Sequence, residues 1–301
     1  MSVFVSQNSQ ECNFSTNESW VILSPIEQNI KHKIEAAGTP LKDWDINIYR
    51  GILTGYNEAF IIDGKKKDEL IAEDPKSADI IRPILRGRDI KRYGYEFADL
   101  WLIYVPWHFP LHNDSSIIGP SAIAEAHFRQ QYPGVYNHLL SHKENLSNRN
   151  KAETGIRYEW YALQRWGANY RDDFSKQKIV WKRVGSLLKF CYDNSGIFAL
   201  DSTCFATGEH IKYLVAFLNS NVGNYLLRDS PKTGTGDLLV SVQAITPIIV
   251  PIPEKEFEEQ IDSLTDQLIT CINSDVEKSI NTAFYNLFKF SAEEIEFIEF
   301  Q

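Results

Sequence analysis

Two histidine pairs, His108 with His112 and His138 with His142, repeat at the four-residue spacing that sets imidazoles on one face of a helix, where they could ligate zinc. Neither pair has a third ligand of obvious kind nearby, so surface or core histidines are the better reading. Thr233-Gly-Thr-Gly-Asp237 carries two glycines, as phosphate-cradling loops do, but it follows a helical run and opens no strand-to-helix turn. A mobile loop explains it better than a cofactor site. Methyl transfer to adenine needs a Gly-rich cofactor loop after a strand and an Asn-Pro-Pro-Tyr-type element, and the chain has neither. Nuclease chemistry wants an upstream Asp and a Glu-x-Lys across strands to hold a divalent ion, and the few candidates, such as Glu254-Lys255, stand in Pro-rich or helical contexts. No Gly-x-Ser-x-Gly elbow occurs. The expectation is therefore a chain with no catalytic residue, no metal and no cofactor of its own.

What remains is charge, and its distribution matters more than its sum. The 301 residues carry a formal net charge of −9, which argues against a polyanionic partner. Twelve acids and three lysines fall after Pro253, so that tail holds the whole excess and residues 1–253 are balanced at 28 of each sign. Within that body, Lys76, Arg82, Arg86, Arg88, Lys91 and Arg92 face only Asp79 and Asp89 between positions 76 and 92. A second run, Lys176, Lys178, Lys182, Arg183 and Lys189, contains no acid. Nucleic acid stays open as a partner, by local patch and not by overall field.

The elements that must carry these charges follow from spacing. With 43% hydrophobic and 13% aromatic residues, the chain can bury a large core in one or two domains. Ser24 and Pro25 open a helix to Ala37 with Ile26, Ile30 and Ile34 on one face. Ile46–Gly51 and Phe60–Ile62 read as strands around a Gly51–Gly55 turn, and Leu100–Val105 as a buried strand. Tyr132–Arg149 and Ile211–Leu227 each read as one helix, and Lys178–Val184 with Leu187–Tyr192 as a hairpin about Gly185-Ser186. After Pro251-Ile-Pro253, Phe257, Ile261, Leu264, Leu268 and Cys271 form a stripe that suits helix-on-helix packing. The fold expected is α+β, small mixed sheets with buttressing helices over residues 1–253 and an acidic helical extension over 254–301. Cys12, Cys191, Cys204 and Cys271 lie far apart, no run is long and apolar enough for a membrane helix, and MSVFVSQNSQ lacks the marks of a signal peptide. A soluble protein of the reducing cytoplasm, with free thiols and no membrane partner, is the economical reading.

Leu41-Lys-Asp-Trp44, Ile48-Tyr-Arg-Gly-Ile-Leu-Thr-Gly-Tyr-Asn-Glu-Ala-Phe60, Ile80-Ile-Arg-Pro-Ile-Leu-Arg-Gly-Arg-Asp-Ile-Lys-Arg-Tyr93 and Trp101-Leu-Ile103 follow one another along the first third of the chain. With Tyr158-Glu-Trp160, Lys178-Ile-Val-Trp181, Tyr213-Leu-Val-Ala-Phe-Leu-Asn-Ser220 and Pro251-Ile-Pro253, they resemble the TaqI-like C-terminal specificity domain over roughly residues 20–255. That domain occurs in bacterial type IIG restriction-modification enzymes and related adenine-specific methyltransferases. The resemblance implies double-stranded DNA as partner, together with an S-adenosylmethionine-dependent N6-adenine methyltransferase domain or subunit and, in many members, a Mg-dependent nuclease. Both catalytic parts are expected outside this chain. Pro251-Ile-Pro253 before Glu259-Gln260-Ile261 is also similar to the junction where type I specificity subunits enter a spacer helix, which would pack on the partner domain.

A module of that kind needs cations for phosphate and polar groups for base edges. Arg82, Arg86, Arg88, Lys91 and Arg92 are the first candidates for DNA contact, with pairing to Asp79, Asp89, Glu96 and Asp99 on an ordinary surface as the alternative. Thr54 and Asn57 can donate and accept toward a base edge, while an Asx-type turn explains Asn57 equally well. Lys182 and Arg183, and Lys232, Thr233 and Thr235 of the Gly-rich loop, complete the set. Five of the seven tryptophans, Trp44, Trp101, Trp160, Trp166 and Trp181, read as core more than as stacking platforms. A protein-interaction or regulatory module that keeps the fold without binding DNA is the competing reading.

Overall fold

Ser24 fixes the first element. Its hydroxyl accepts from the Glu27 backbone N–H while the Glu27 carboxylate accepts from the Ser24 N–H at 2.9 Å, and Pro25 follows in the first turn. Helix α1 accordingly runs Pro25–Ala37, as its isoleucine spacing predicts. The computed structural model describes residues 23–300, so Cys12 and the N-terminal stretch read for a signal peptide lie outside the described residues. Next come β1 (Thr39–Pro40), β2 (Ile46–Arg50), α2 (Asn57–Phe60), β3 (Ile61–Asp63), α3 (Gly64–Glu73), β4 (Ile81–Leu85) and β5 (Leu100–Ile103). The middle of the chain holds α4 (Ala122–Gln131), α5 (Pro133–Ser141), α6 (Lys143–Asn148), β6 (Lys178–Lys182), β7 (Val184–Gly185), β8 (Phe190–Asp193), β9 (Phe198–Ala199) and β10 (Thr203–Gly208). It closes with α7 (Ile211–Asn219), α8 (Asn221–Leu227), β11 (Leu238–Leu239), α9 (Val242–Ile245), β12 (Ile249–Val250), α10 (Lys255–Thr270), α11 (Ser274–Phe288) and α12 (Ala292–Glu299).

The architecture is α+β, organised by one sheet that separates two cores. Its order is β2-β10-β6-β8, antiparallel throughout, with Phe205 opposite both Tyr49 and Val180, and Trp181 opposite Phe190. Alternate residues point to opposite faces. Ile179, Trp181, Phe190, Cys204 and Ala206 enter one hydrophobic cluster, and Val180, Cys191 and Phe205 the other. A strand buried on both faces reads as an unbroken apolar run, which is why Lys178-Ile-Val-Trp181 shows no polar alternation. The first cluster also takes in α1, α7 and the C-terminal helices. The second lies over a smaller sheet, β3-β5-β4-β9, whose β4–β9 pair is parallel, and over α4–α6.

Three expected elements differ in detail. The 211–227 helix breaks at Ser220, whose extended backbone (ψ 165°) leaves its hydroxyl to accept from the Gly223 N–H at 3.2 Å and start α8. The 132–149 helix is two, because His142 (φ −104°, ψ 8°) leaves helical geometry between α5 and α6. Phe60 ends α2 instead of opening a strand, and β3 begins one residue later. The stripe after Pro253 packs helix on helix, but its neighbour is this chain's own α7, with Ile261 and Leu268 buried in the first cluster. α11 and α12 fold back and bury Ile280, Phe284, Phe288 and Ile298 beside it. Among the described residues no helix is long and apolar enough to cross a membrane.

Candidate nucleic-acid interface

Most of the 82–92 cations hold the fold together. Arg82 donates to the backbone carbonyls of Ala78, Asp79 and Ile81 at 2.6–3.1 Å, which closes the turn before β4. Arg86 clasps Asp89 through Nε and Nη2 at 3.0 and 2.8 Å, while Asp89 also accepts from the Arg86 N–H. Burial alone would raise the Asp89 carboxyl, but these hydrogen bonds hold it below its ordinary value. Lys91 pairs with Glu96 at 3.1 Å in solvent. Arg92 donates to the Asn219 carbonyl at 2.6 Å and pairs with Glu277 at 3.0 Å, joining the end of α7 to α11. Arg88 alone is exposed with no hydrogen bond or ion pair among the described residues.

The glycine turn is built from the inside. Thr54 is buried and donates to Asn57 Oδ1 at 2.6 Å, so the local turn accounts for both side chains. Arg149, which sequence reasoning did not single out, reaches in from the end of α6 and donates to the carbonyls of Thr54, Ala162 and, at 3.1 Å, Trp160. Burial lowers its pKa to about 10. Gly55 sits beyond it with φ +78°, the left-handed region in which glycine costs least. Asn57 is exposed, and no described residue bonds its amide nitrogen.

The remaining candidates converge at one end of the central sheet. Lys182, the last residue of β6, is paired in register with Thr203 and exposed, and no described residue bonds its amine. A Cβ on Gly87 would meet Lys182 Cγ at 2.8 Å, and the Gly87 N–H donates to Ser202 Oγ at 3.1 Å, so the turn bearing Arg88 lies directly against Lys182. Arg183 is half-buried between the Ser202 carbonyl and the Val240 N–H, to which its own backbone bonds, and its Nε has no hydrogen-bond partner. β7 pairs with β11, Gly185 opposite Leu238, and thereby carries the Gly-rich loop to the same rim. That loop is a hydrogen-bonded turn. Thr233 N–H donates to the Asp237 carbonyl at 2.8 Å, the Thr233 and Thr235 hydroxyls are 2.8 Å apart, and Lys232 is exposed at its base. Arg50, also missed, stands at the same sheet end, register partner of Cys204, and pairs with Asp201 at 3.2 Å. Its place immediately before Gly51 was the available signal. Lys178, counted among the basic run, is fully buried against Asp193 and the Phe174 carbonyl and leaves the surface.

Residues 82–239 of this chain, just over half of it, match the TaqI-like C-terminal specificity domain. The chain belongs to that family. The specificity domain is 20% identical, over 228 residues that make up 73% of this chain and 69% of the relative, to the type II methyltransferase M.MjaIV of Methanocaldococcus jannaschii. In structure it is similar to the type IIL restriction-modification enzyme MmeI, solved in complex with DNA, at TM-score 0.58 and 12% identity over 87% of this chain. The type IIG restriction endonuclease BpuSI aligns at TM-score 0.45 and 12% identity over 89% of it. The chain spans only 35% and 33% of those two enzymes. The matched range contains Arg82 through Thr235, while the 41–60 motif and Pro251-Ile-Pro253 fall outside it.

The other features weighed in the sequence have structural roles in this specificity domain. His138 Nε2 contacts the Ala59 carbonyl at 2.9 Å, and His108 Nδ1 contacts Glu159 at 3.0 Å. Among the described residues no group of three His, Cys, Asp or Glu side chains is placed to hold a metal ion. Trp44, Trp160 and Trp181 are buried, and Trp181 donates to the Val240 carbonyl at 2.9 Å beneath the rim.

Proposed function

We propose that this specificity domain binds double-stranded DNA through the sheet end that carries Arg88, Lys182, Arg183 and the 232–235 loop. It thereby directs an S-adenosylmethionine-dependent N6-adenine methyltransferase region of its parent protein, or a separate subunit, to one site. Cleavage by a Mg-dependent nuclease belongs to the same proposal, with both chemistries outside this chain. The observation that carries the reading is the convergence of exposed cations from three distant segments, 88, 182 and 232, on one rim without a bonded acid at Arg88 or Lys182. Cations left unpaired can neutralise phosphate, and the Thr233, Thr235 and Asn57 polar groups beside or beyond them can meet base edges. MmeI, solved in complex with DNA, lends support at the level of fold.

The test is selection of bound duplexes from a random pool by the purified chain at ~50 mM and ~200 mM salt, across which phosphate-only binding decays steeply. One short motif enriched at both salts is the expected result. No enrichment at either sinks the reading. A protein-docking module is the second reading, favoured by the exposed acids Glu254, Glu256, Glu259, Asp266 and Glu293 between residue 254 and α12. We assign that acidic stretch to contact with the catalytic region. Deleting it would strip Ile261, Phe284 and Phe288 from the core, so charge reversal at Glu256 and Glu259, read as failure to assemble with the methyltransferase, is the cleaner test.

A further inference from the structure

Leu187 is one of nine large apolar side chains exposed among the described residues, and it shares a turn with the unpaired Lys182 amine. It is 76% exposed while its neighbour Leu188 is buried, so the turn after β7 aims one leucine into the core and holds the other in water. The turn is tight. A Cβ on Gly185 would meet the Leu187 carbonyl at 3.5 Å and Lys182 Nζ at 3.6 Å, which sets the leucine backbone and the unpaired amine within one patch. On the other side, the pairing of Gly185 with Leu238 brings the Thr233–Asp237 turn alongside. The tip therefore sets one large apolar side chain beside Gly185 and Ser186, with the Lys182 amine in the same patch and the segments that carry Arg88 and Lys232 adjoining it. The acid nearest in the pairing, Asp237, is turned to the Thr235 hydroxyl at 3.4 Å.

An apolar group costs free energy when held in water, and protein docking surfaces offer larger apolar patches than a single leucine beside a lysine amine. A polyanion with apolar base surfaces inside its grooves matches both halves of this tip. We infer that Leu187 is a specificity-determining contact that enters a DNA groove and packs on the bases, while Lys182 and Arg88 hold the flanking phosphates. The inference rests on the DNA-binding reading above and names the residue that reads without charge.

Salt dependence separates the two roles. Removing one cation from a phosphate lowers the slope of log affinity against log salt by about 0.9, whereas removing an apolar group from a base leaves the slope unchanged. Binding of the full chain to the fluorescent duplex enriched by the selection above should weaken about tenfold for Leu187→Ser at every salt concentration with the wild-type slope, an effect the size of a single base-edge interaction. Leu187→Met should retain most of the affinity, and Lys182→Ala should weaken binding with a shallower slope. Wild-type affinity in Leu187→Ser, or a slope reduced as in Lys182→Ala, overturns the role of Leu187 while leaving DNA binding standing. A wild-type chain that binds no duplex at ~50 mM salt overturns both.

Discussion

Two basic segments of similar composition behave in opposite ways. Between 82 and 92, Arg82, Arg86 and Arg92 turn inward onto backbone carbonyls, Asp89 and Glu277, and only Arg88 is left without a partner. At the rim around 182–187 and 232–237, Lys182 and Lys232 stay in water with no acid holding them. The difference lies in what surrounds each segment. The first threads between a 3-10 turn, the end of α7 and α11, all of which present orphan carbonyls or carboxylates. The second ends a strand whose neighbours, Gly87, Ser202 and Gly185, offer little to pair with. A cation's role is set by the acceptors in reach, which composition does not report.

The largest effect that would sharpen this contrast is at Arg149, the extreme of an inward cation. Arg149→Ala leaves three buried carbonyls without their donor and should cost about 3 kcal/mol of unfolding free energy in urea titration. A cost below about 0.5 kcal/mol would break the idea that the clamp supports the glycine turn. Arg86→Ala should cost about 2 kcal/mol at neutral pH, since it strands a buried Asp89. The Asp89 pKa is depressed in the fold, so its stabilisation is present above the unfolded carboxylate value of about 4 and lost as pH falls through the folded one. The penalty of Arg86→Ala should therefore shrink in acid. The double substitution Arg88→Ala, Lys182→Ala should leave stability within about 0.5 kcal/mol yet lower the salt slope of DNA binding by about 2. A destabilised double variant would place these two with the inward set. The smallest effect concerns an acid of the C-terminal helices. Burial and then Glu258 raise Asp262 to about 6, with Asp266 adding to the rise and Lys212 and His210 opposing it, and its Oδ1 has no hydrogen-bond partner. A carboxyl raised in the fold gives stability that grows as pH falls through 6. Asp262→Asn should thus raise the melting temperature by about 2 °C at pH 7.5, the gain fading below pH 6.

Local signals were legible where a few adjacent residues decide the outcome. Ser24 and Glu27 cap α1 as their spacing requires, and the β6–β8 pairing appears where Gly185-Ser186 interrupts two apolar runs. The pairing of Arg86 with Asp89 and Lys91 with Glu96 was open in the sequence as the alternative to DNA contact, and both pairs form in the fold. Arg92 was not legible in this way, because Glu277 lies 185 positions further on. Nor was the convergence of Arg88, Lys182 and Lys232, which depends on the β7–β11 pairing and on Gly87 lying against β6. The apolar stripe after Pro253 fixed helical packing but not its neighbour. A stripe of that width fits a partner chain or the chain's own α7 equally, and only the apolar faces of α7 decided between them.

Lys33 of α1 reaches the Lys289 carbonyl at 2.9 Å and Glu294 at 2.5 Å, contacts that span more than 250 positions. On the ribosome this bond cannot form until residues 289–294 have been synthesised. At synthesis rates of about 5–20 residues per second, Ile30 and Ile34 wait on the order of ten seconds or longer for the helices that cover them. Through that interval the apolar face of α1 lacks its cover, which makes it a natural client for chaperones until α11 and α12 emerge.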